Sequence, residues 1–148
     1  MRPHLVAILG ALSGVSCADA TGSDALTLAA IAGPYQASHY VYQAVGDTTR
    51  QVDQVALGVQ STFLQLVDDA YLWVDSFPAN PQGVEVRDSG TATLTGDTLR
   101  LVSPLTTAAF QADRRGGALV LTDTLSMRLL CPTLCLEPVR RIIVLVRQ

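Results

Sequence analysis

The chain has 148 residues, 49% of them hydrophobic, and a formal net charge of −3. That length suits one domain, able to bury roughly two thirds of its unfolded surface without a metal to hold it. No basic run is longer than the pairs Arg114-Arg115 and Arg140-Arg141, which argues against a nucleic-acid surface. Apart from one short N-terminal piece, no apolar stripe repeats with the 3.6-residue period of a helix, which argues against a helical protein.

Residues 1–20 read as an export signal: Arg2 supplies the positive region, and residues 5–15 a short apolar core. Two processing sites compete. Cys17 follows Gly14-Val15-Ser16, while Ala18-Asp19-Ala20 is an A-x-A site whose use would discard Cys17 and release a soluble secreted protein. The first choice divides the chain into a signal peptide over 1–16, a tether over 17–24 and a single domain over 25–148. A short helix over residues 24–32 is predicted, with Ser23 as its cap and Gly33 as its stop; because the run is short, a strand over residues 26–31 is the alternative.

Strands punctuated by turns follow. The first covers residues 33–45, a weaker one 52–59 and a better one 61–67. Asp68-Asp69 turns the chain into a strand over 70–77, placing Leu64 opposite Trp73 and Leu66 opposite Tyr71. Residues 78–82 form a loop, because Pro78 and Pro81 cannot donate to a ladder. Gly96-Asp97 then centres a hairpin over residues 84–102, with Leu94 facing Leu99 and Ala92 facing Leu101 on the inner side. Thr93 meets Arg100 on the outer side, and a one-residue slip would break both matches. A further hairpin joins residues 106–113 to 118–130 and is expected to set Phe110 opposite Leu121 and Ala112 opposite Leu119. The final strand over 136–147 is apolar on both faces and needs a neighbour on each edge. The fold class is therefore all-β: an antiparallel up-and-down meander of eight or nine strands. Closure into a barrel removes the edges, and a two-sheet β-sandwich is the alternative.

Two resemblances bear on these elements. Gly14-Val15-Ser16-Cys17 resembles the lipobox of bacterial lipoproteins, with Gly14 where that family usually has Leu. It implies an acyl chain on Cys17, membrane attachment through it, and an outer-membrane or periplasmic location. Gly33-Pro34-Tyr35, the Val52–Gly58 run before a strand pair ending at Trp73, and the Gly90…Gly96…Leu99 hairpin resemble small bacterial lipocalin-like envelope proteins, with Tyr35 where many relatives carry Trp. The resemblance covers residues 33–130 and implies a barrel able to hold an apolar ligand, with Arg141 or Arg147 as its closing arginine.

Few residues carry chemistry. Cys131 and Cys135 read foremost as a disulfide in an exported protein, with a soft-metal site or a redox pair as alternatives. His39 lacks any sequence neighbour that would make it a general base; Asp68-Asp69 reads as a turn and Asp75 as a strand-end charge. No nucleophile elbow, phosphate loop, dinucleotide fingerprint or zinc-protease motif is present, so neither an enzyme nor a cofactor is expected. Tyr35, Tyr40, Tyr42, Trp73 and Phe110 are the candidates to line a ligand pocket, against the plainer reading that they fill the core. The function expected is a non-catalytic envelope domain that binds or sequesters a small apolar molecule. The alternative is an interaction or inhibitor module presenting its loops to another envelope protein.

Overall fold

The structure is a computed structural model that describes residues 25–127, 129 and 136–148. Cys17, Cys131 and Cys135, with the signal segment and tether, lie outside the described residues.

Among the described residues, nine antiparallel strands make one sheet: β1 (Gly33–Ala44), β2 (Gln51–Asp53), β3 (Ser61–Val67), β4 (Ala70–Phe77), β5 (Val84–Thr95), β6 (Thr98–Val102), β7 (Thr107–Arg115), β8 (Ala118–Met127) and β9 (Glu137–Arg147). From β3 to β9 each strand pairs with the next, and β1 joins β3 on one side and β9 on the other. The result is a closed eight-stranded barrel, with β2 as an extra ribbon on the upper part of β1. Closure excludes the sandwich, because the apolar β9 finds a partner on each edge.

The hairpin expected at Gly96-Asp97 forms in the expected register, with Leu94 opposite Leu99 and Ala92 opposite Leu101. The β3–β4 register also holds, turning through Asp68 at φ 52°, a left-handed geometry that Asp tolerates better than most residues.

Three expectations need correction. The β7–β8 hairpin is shifted by two residues, so Ala112 faces Leu121 and Arg114 faces Leu119. Its loop is Gly116-Gly117, with φ 55° and 87°; a two-residue turn of the hand that matches strand twist needs positive φ at both positions, and only this pair supplies it cheaply. An even shift leaves every side chain on its expected face. The predicted strand over 52–59 survives only as β2, because the Asp53 carboxylate accepts from the Val55 and Ala56 amides and turns the chain off the sheet. The helix is α1 (Leu28–Ile31) alone, capped by Thr27, whose hydroxyl accepts from the Ala30 amide at 3.2 Å.

The barrel is packed solid at the end where β1 begins. Leu64, Leu66, Leu99, Leu119, Leu121, Ile143 and Leu145 are buried there, each contributing about 1.5–3 kcal/mol of apolar transfer. Helix α1 plugs this end with Ile31, whose carbonyl accepts from the Tyr35 hydroxyl at 2.9 Å. Arg147 lies over the Tyr35 ring, 5.6 Å from its centroid, and donates to the Ala32 carbonyl. Of the two arginines that could close the barrel, Arg147 therefore ties the last strand to the plug.

Candidate ligand-binding site

At the opposite end the barrel wall is incomplete. β5 pairs with β4 along residues 84–91, but β6 reaches only from Thr91 to Thr95. Between the upper half of β5 and the start of β7 no described strand fills the wall. Gly90 marks the divergence: a β-carbon there would sit 2.0 Å from the Val102 carbonyl oxygen, so only glycine lets β6 end against β5.

Behind this notch lies a cavity of about 250 Å³. β4 contributes Tyr71, Trp73 and Asp75, and β5 contributes Val86 and Asp88. Leu101, Thr106, Ala108 and Phe110 come from the β6–β7 side, while Tyr40 and Arg141 close the back. Strand parity explains the set: alternate residues point inward, and these occupy inward positions above the packed core.

Arg141 organises the back wall. Its guanidinium donates twice to Asp123, at 2.9 and 2.5 Å, and once to the Tyr40 hydroxyl at 3.2 Å. It also lies 4.9 Å from the centroid of Phe110, which stacks on Trp73 at 6.0 Å with an interplanar angle of 3°. Burial works against the Arg141 charge, but the hydrogen bonds and charge of Asp123, with the hydrogen bond to Tyr40, outweigh it and hold the cation. Burial raises the Tyr40 hydroxyl far above its ordinary range, despite the opposing pull of Arg141, so it stays protonated.

Two further carboxylates face the cavity. Asp75 accepts from Thr62 at 2.5 Å and from the Gln60 amide at 3.0 Å. Asp88 accepts from the Tyr71 hydroxyl at 2.8 Å. Burial, and then this bond to Asp88, raise the Tyr71 pKa, so the phenol remains a donor at neutral pH.

Of the five aromatic candidates, Tyr40, Trp73 and Phe110 line the cavity. Tyr35 does not: it belongs to the plug at the far end. Tyr42 does not either; it packs beside Tyr40 and against the small cluster of Ala44, Leu129 and Val139 that fills the other half of the mouth. Tyr71, Asp88 and Arg141 had no place among the candidates, and Asp75 proves to be a cavity group rather than a strand-end charge. Their signal was present, since each sits two residues from another inward residue of its strand. A second hollow, about 640 Å³, lies at the closed end between residues 25–30 and the tips of two hairpins, with buried Ala112 in its lining; no described aromatic side chain lines it.

His39 is on the outer surface beside a bulge in β1, with Nδ1 2.6 Å from the Asp53 carboxylate. Burial pushes the Asp53 carboxyl up, but bonds from His39 and from the Tyr40, Ala56 and Val55 amides more than offset it, leaving its pKa lowered. A lowered folded pKa stabilises the fold above the unfolded value of about 3.9, and that contribution is lost as pH falls through the folded value. Asp53→Ala should therefore cost about 0.5–2 kcal/mol at pH 7, as the loss of a capping carboxylate does. The gap to the parent should narrow below about pH 4 in urea titrations run across pH; a gap constant down to pH 2 would count against this account.

Comparison with protein-family models, with curated proteins and with solved structures found no match.

Proposed function

We propose that this chain is a non-catalytic binding barrel that holds or sequesters one small, largely apolar molecule in its mouth. One observation carries the reading: the barrel is packed solid at one end, yet keeps an aromatic-lined cavity with a few polar groups at the other. Eight strands enclose just enough space for side chains or one small ligand, and here the two uses divide the interior. Aromatic and aliphatic walls would supply burial, with Tyr40, Tyr71, Asp75 and Asp88 orienting the guest. The closed meander, the helical plug and the Gly33-Pro34-Tyr35 opening support kinship with lipocalin-like envelope proteins. Acylated Cys17 would then tether the barrel to a membrane, and a disulfide between Cys131 and Cys135 would pin the loop before β9.

Trp73 is the single tryptophan of the chain and lines the cavity, which makes it a built-in reporter. Titration with a panel of small aromatic and aliphatic molecules should give a saturable change in its emission. Ala108→Trp, which fills the cavity from β7, should weaken that binding at least about tenfold while leaving a folded barrel. Because this variant adds a second indole, calorimetry should supply its affinity. A silent panel, or unaltered affinity in the filled variant, would defeat the proposal.

One observation favours the interaction reading. The exposed loop at residues 78–82 shares the open end with Leu105, which is 82% exposed, and with exposed Val84 and Val102. Recovery of one envelope protein by the parent but not by Leu105→Ser would support it.

A further inference from the structure

The charges facing the cavity do not balance, and this narrows the chemistry of the guest. Among the described residues, Arg141 is the only cationic side chain in the lining, and Asp123 already answers it with two hydrogen bonds. Its third described bond goes to Tyr40. An acidic guest would have to compete with a bidentate carboxylate already in place. Asp75 and Asp88 have no such answer among the described residues. Their described partners are neutral donors: Thr62 and the Gln60 amide for one, Tyr71 for the other. Each bonded set involves a single oxygen, and no described residue donates to the second oxygen of either carboxylate. Arg87, the basic residue nearest to Asp88 in sequence, is on the outer face and pairs with Glu85.

Geometry brings the two carboxylates together. Trp73 faces Asp88 across the β4–β5 ladder, and Asp75 faces Val86, so Asp75 and Asp88 are diagonal neighbours on one inner face. The indole of Trp73 shares that face, and an aromatic face attracts a cation through its quadrupole. Leu101, Val86 and Ala108 complete the lining with apolar surface.

We infer that the mouth cavity selects small organic cations, with an ammonium group held by Asp75 and Asp88 beside Trp73 and the apolar skeleton against Leu101, Val86 and Ala108. This inference rests on the small-molecule reading above and adds the charge of the guest. Two carboxylates with no cationic partner among the described residues, in a partly desolvated cavity, repel an anion and leave a neutral analogue without compensation.

The test uses the intact chain and three probes of one skeleton: 2-phenylethylamine, 2-phenylethanol and phenylacetate, at pH 7 and low salt. Trp73 emission and calorimetry report binding. The amine is expected to bind at least about tenfold tighter than the alcohol, and the carboxylate more weakly than both. Added salt should weaken the amine alone. Asp88→Asn keeps an oxygen for the Tyr71 hydroxyl and should fold normally; it should lower amine affinity about fivefold or more and leave the alcohol unchanged. Asp75→Asn should act in the same direction, with circular dichroism as its folding control. Equal affinity for amine and alcohol, or tightest binding by phenylacetate, would overturn the cation preference and leave the binding barrel standing. Silence with all three probes while other apolar molecules bind would also overturn it. Silence with every probe would remove the binding reading itself.

Discussion

Gly90→Ala is expected to destabilise the barrel by about 3 kcal/mol or more, the upper range for overpacking. For a chain of this size that corresponds to roughly 6–12 °C in Tm. The new β-carbon would meet the Val102 carbonyl oxygen at 2.0 Å and its carbon at 2.8 Å, both backbone atoms. Neither can rotate away as a flexible side chain could. Relief requires β5 and β6 to separate where Thr91 pairs with Val102, which also widens the notch beside the cavity. Gly46→Ala is the matching control: nothing lies within 4 Å of a β-carbon there, and its φ is not left-handed. That change should stay within about 0.5 kcal/mol of the parent. Chemical denaturation of the two variants decides the matter. A Gly90→Ala protein as stable as the control would show that the strand divergence does not depend on glycine.

Arg141→Met is expected to cost about 3–5 kcal/mol, because it leaves Asp123 inside the barrel without its partner. The side chains of this pair are only 20% and 17% exposed, so solvent offers limited relief. The variant also removes the cation from the Phe110 ring and a donor from the Tyr40 hydroxyl. Arg141→Met with Asp123→Leu should recover at least about 1 kcal/mol over the single change, since no buried charge is then stranded. Urea denaturation of the parent, both single variants and the double variant closes the cycle. Strictly additive costs would mean that the pair is not coupled and that Arg141 acts only through its packing. Arg50 offers a contrast: it also grips a carboxylate twice, Glu137, but stands more exposed, so its loss should cost less.

The barrel wall was legible because strand parity is a local property. Alternation fixed which side of β5 and β6 faces inward, and the match of Leu94 to Leu99 fixed their register. Parity alone did not locate the β7–β8 loop. Turn chemistry did, since Gly116-Gly117 supplies the left-handed geometry and moves the register by two residues without exchanging faces. The aromatic candidates were half right for a related reason. Inward-facing aromatics could be found in sequence, but their height along the barrel axis depends on how eight strands are staggered around it. That stagger sends Tyr35 to the plugged end and Trp73 to the mouth. Asp75 reads as a strand-end charge in sequence because it stands two residues from the end of β4, next to the loop that Pro78 opens. Only closure shows that Asp75, Asp88 and Arg141 converge from three strands.

The sequence by itself determined the all-β class, most of the strand boundaries, the central hairpin register and the need for β9 to be paired on both edges. Each follows from interactions between residues close along the chain or directly across one turn. Tertiary structure decided the closure of β1 on β9, the early departure of β6 from β5 at Gly90, and hence the cavity itself. These depend on contacts between distant strands. Side-chain alternation can say which residues face inward, but the space left between them is set only when the sheet closes.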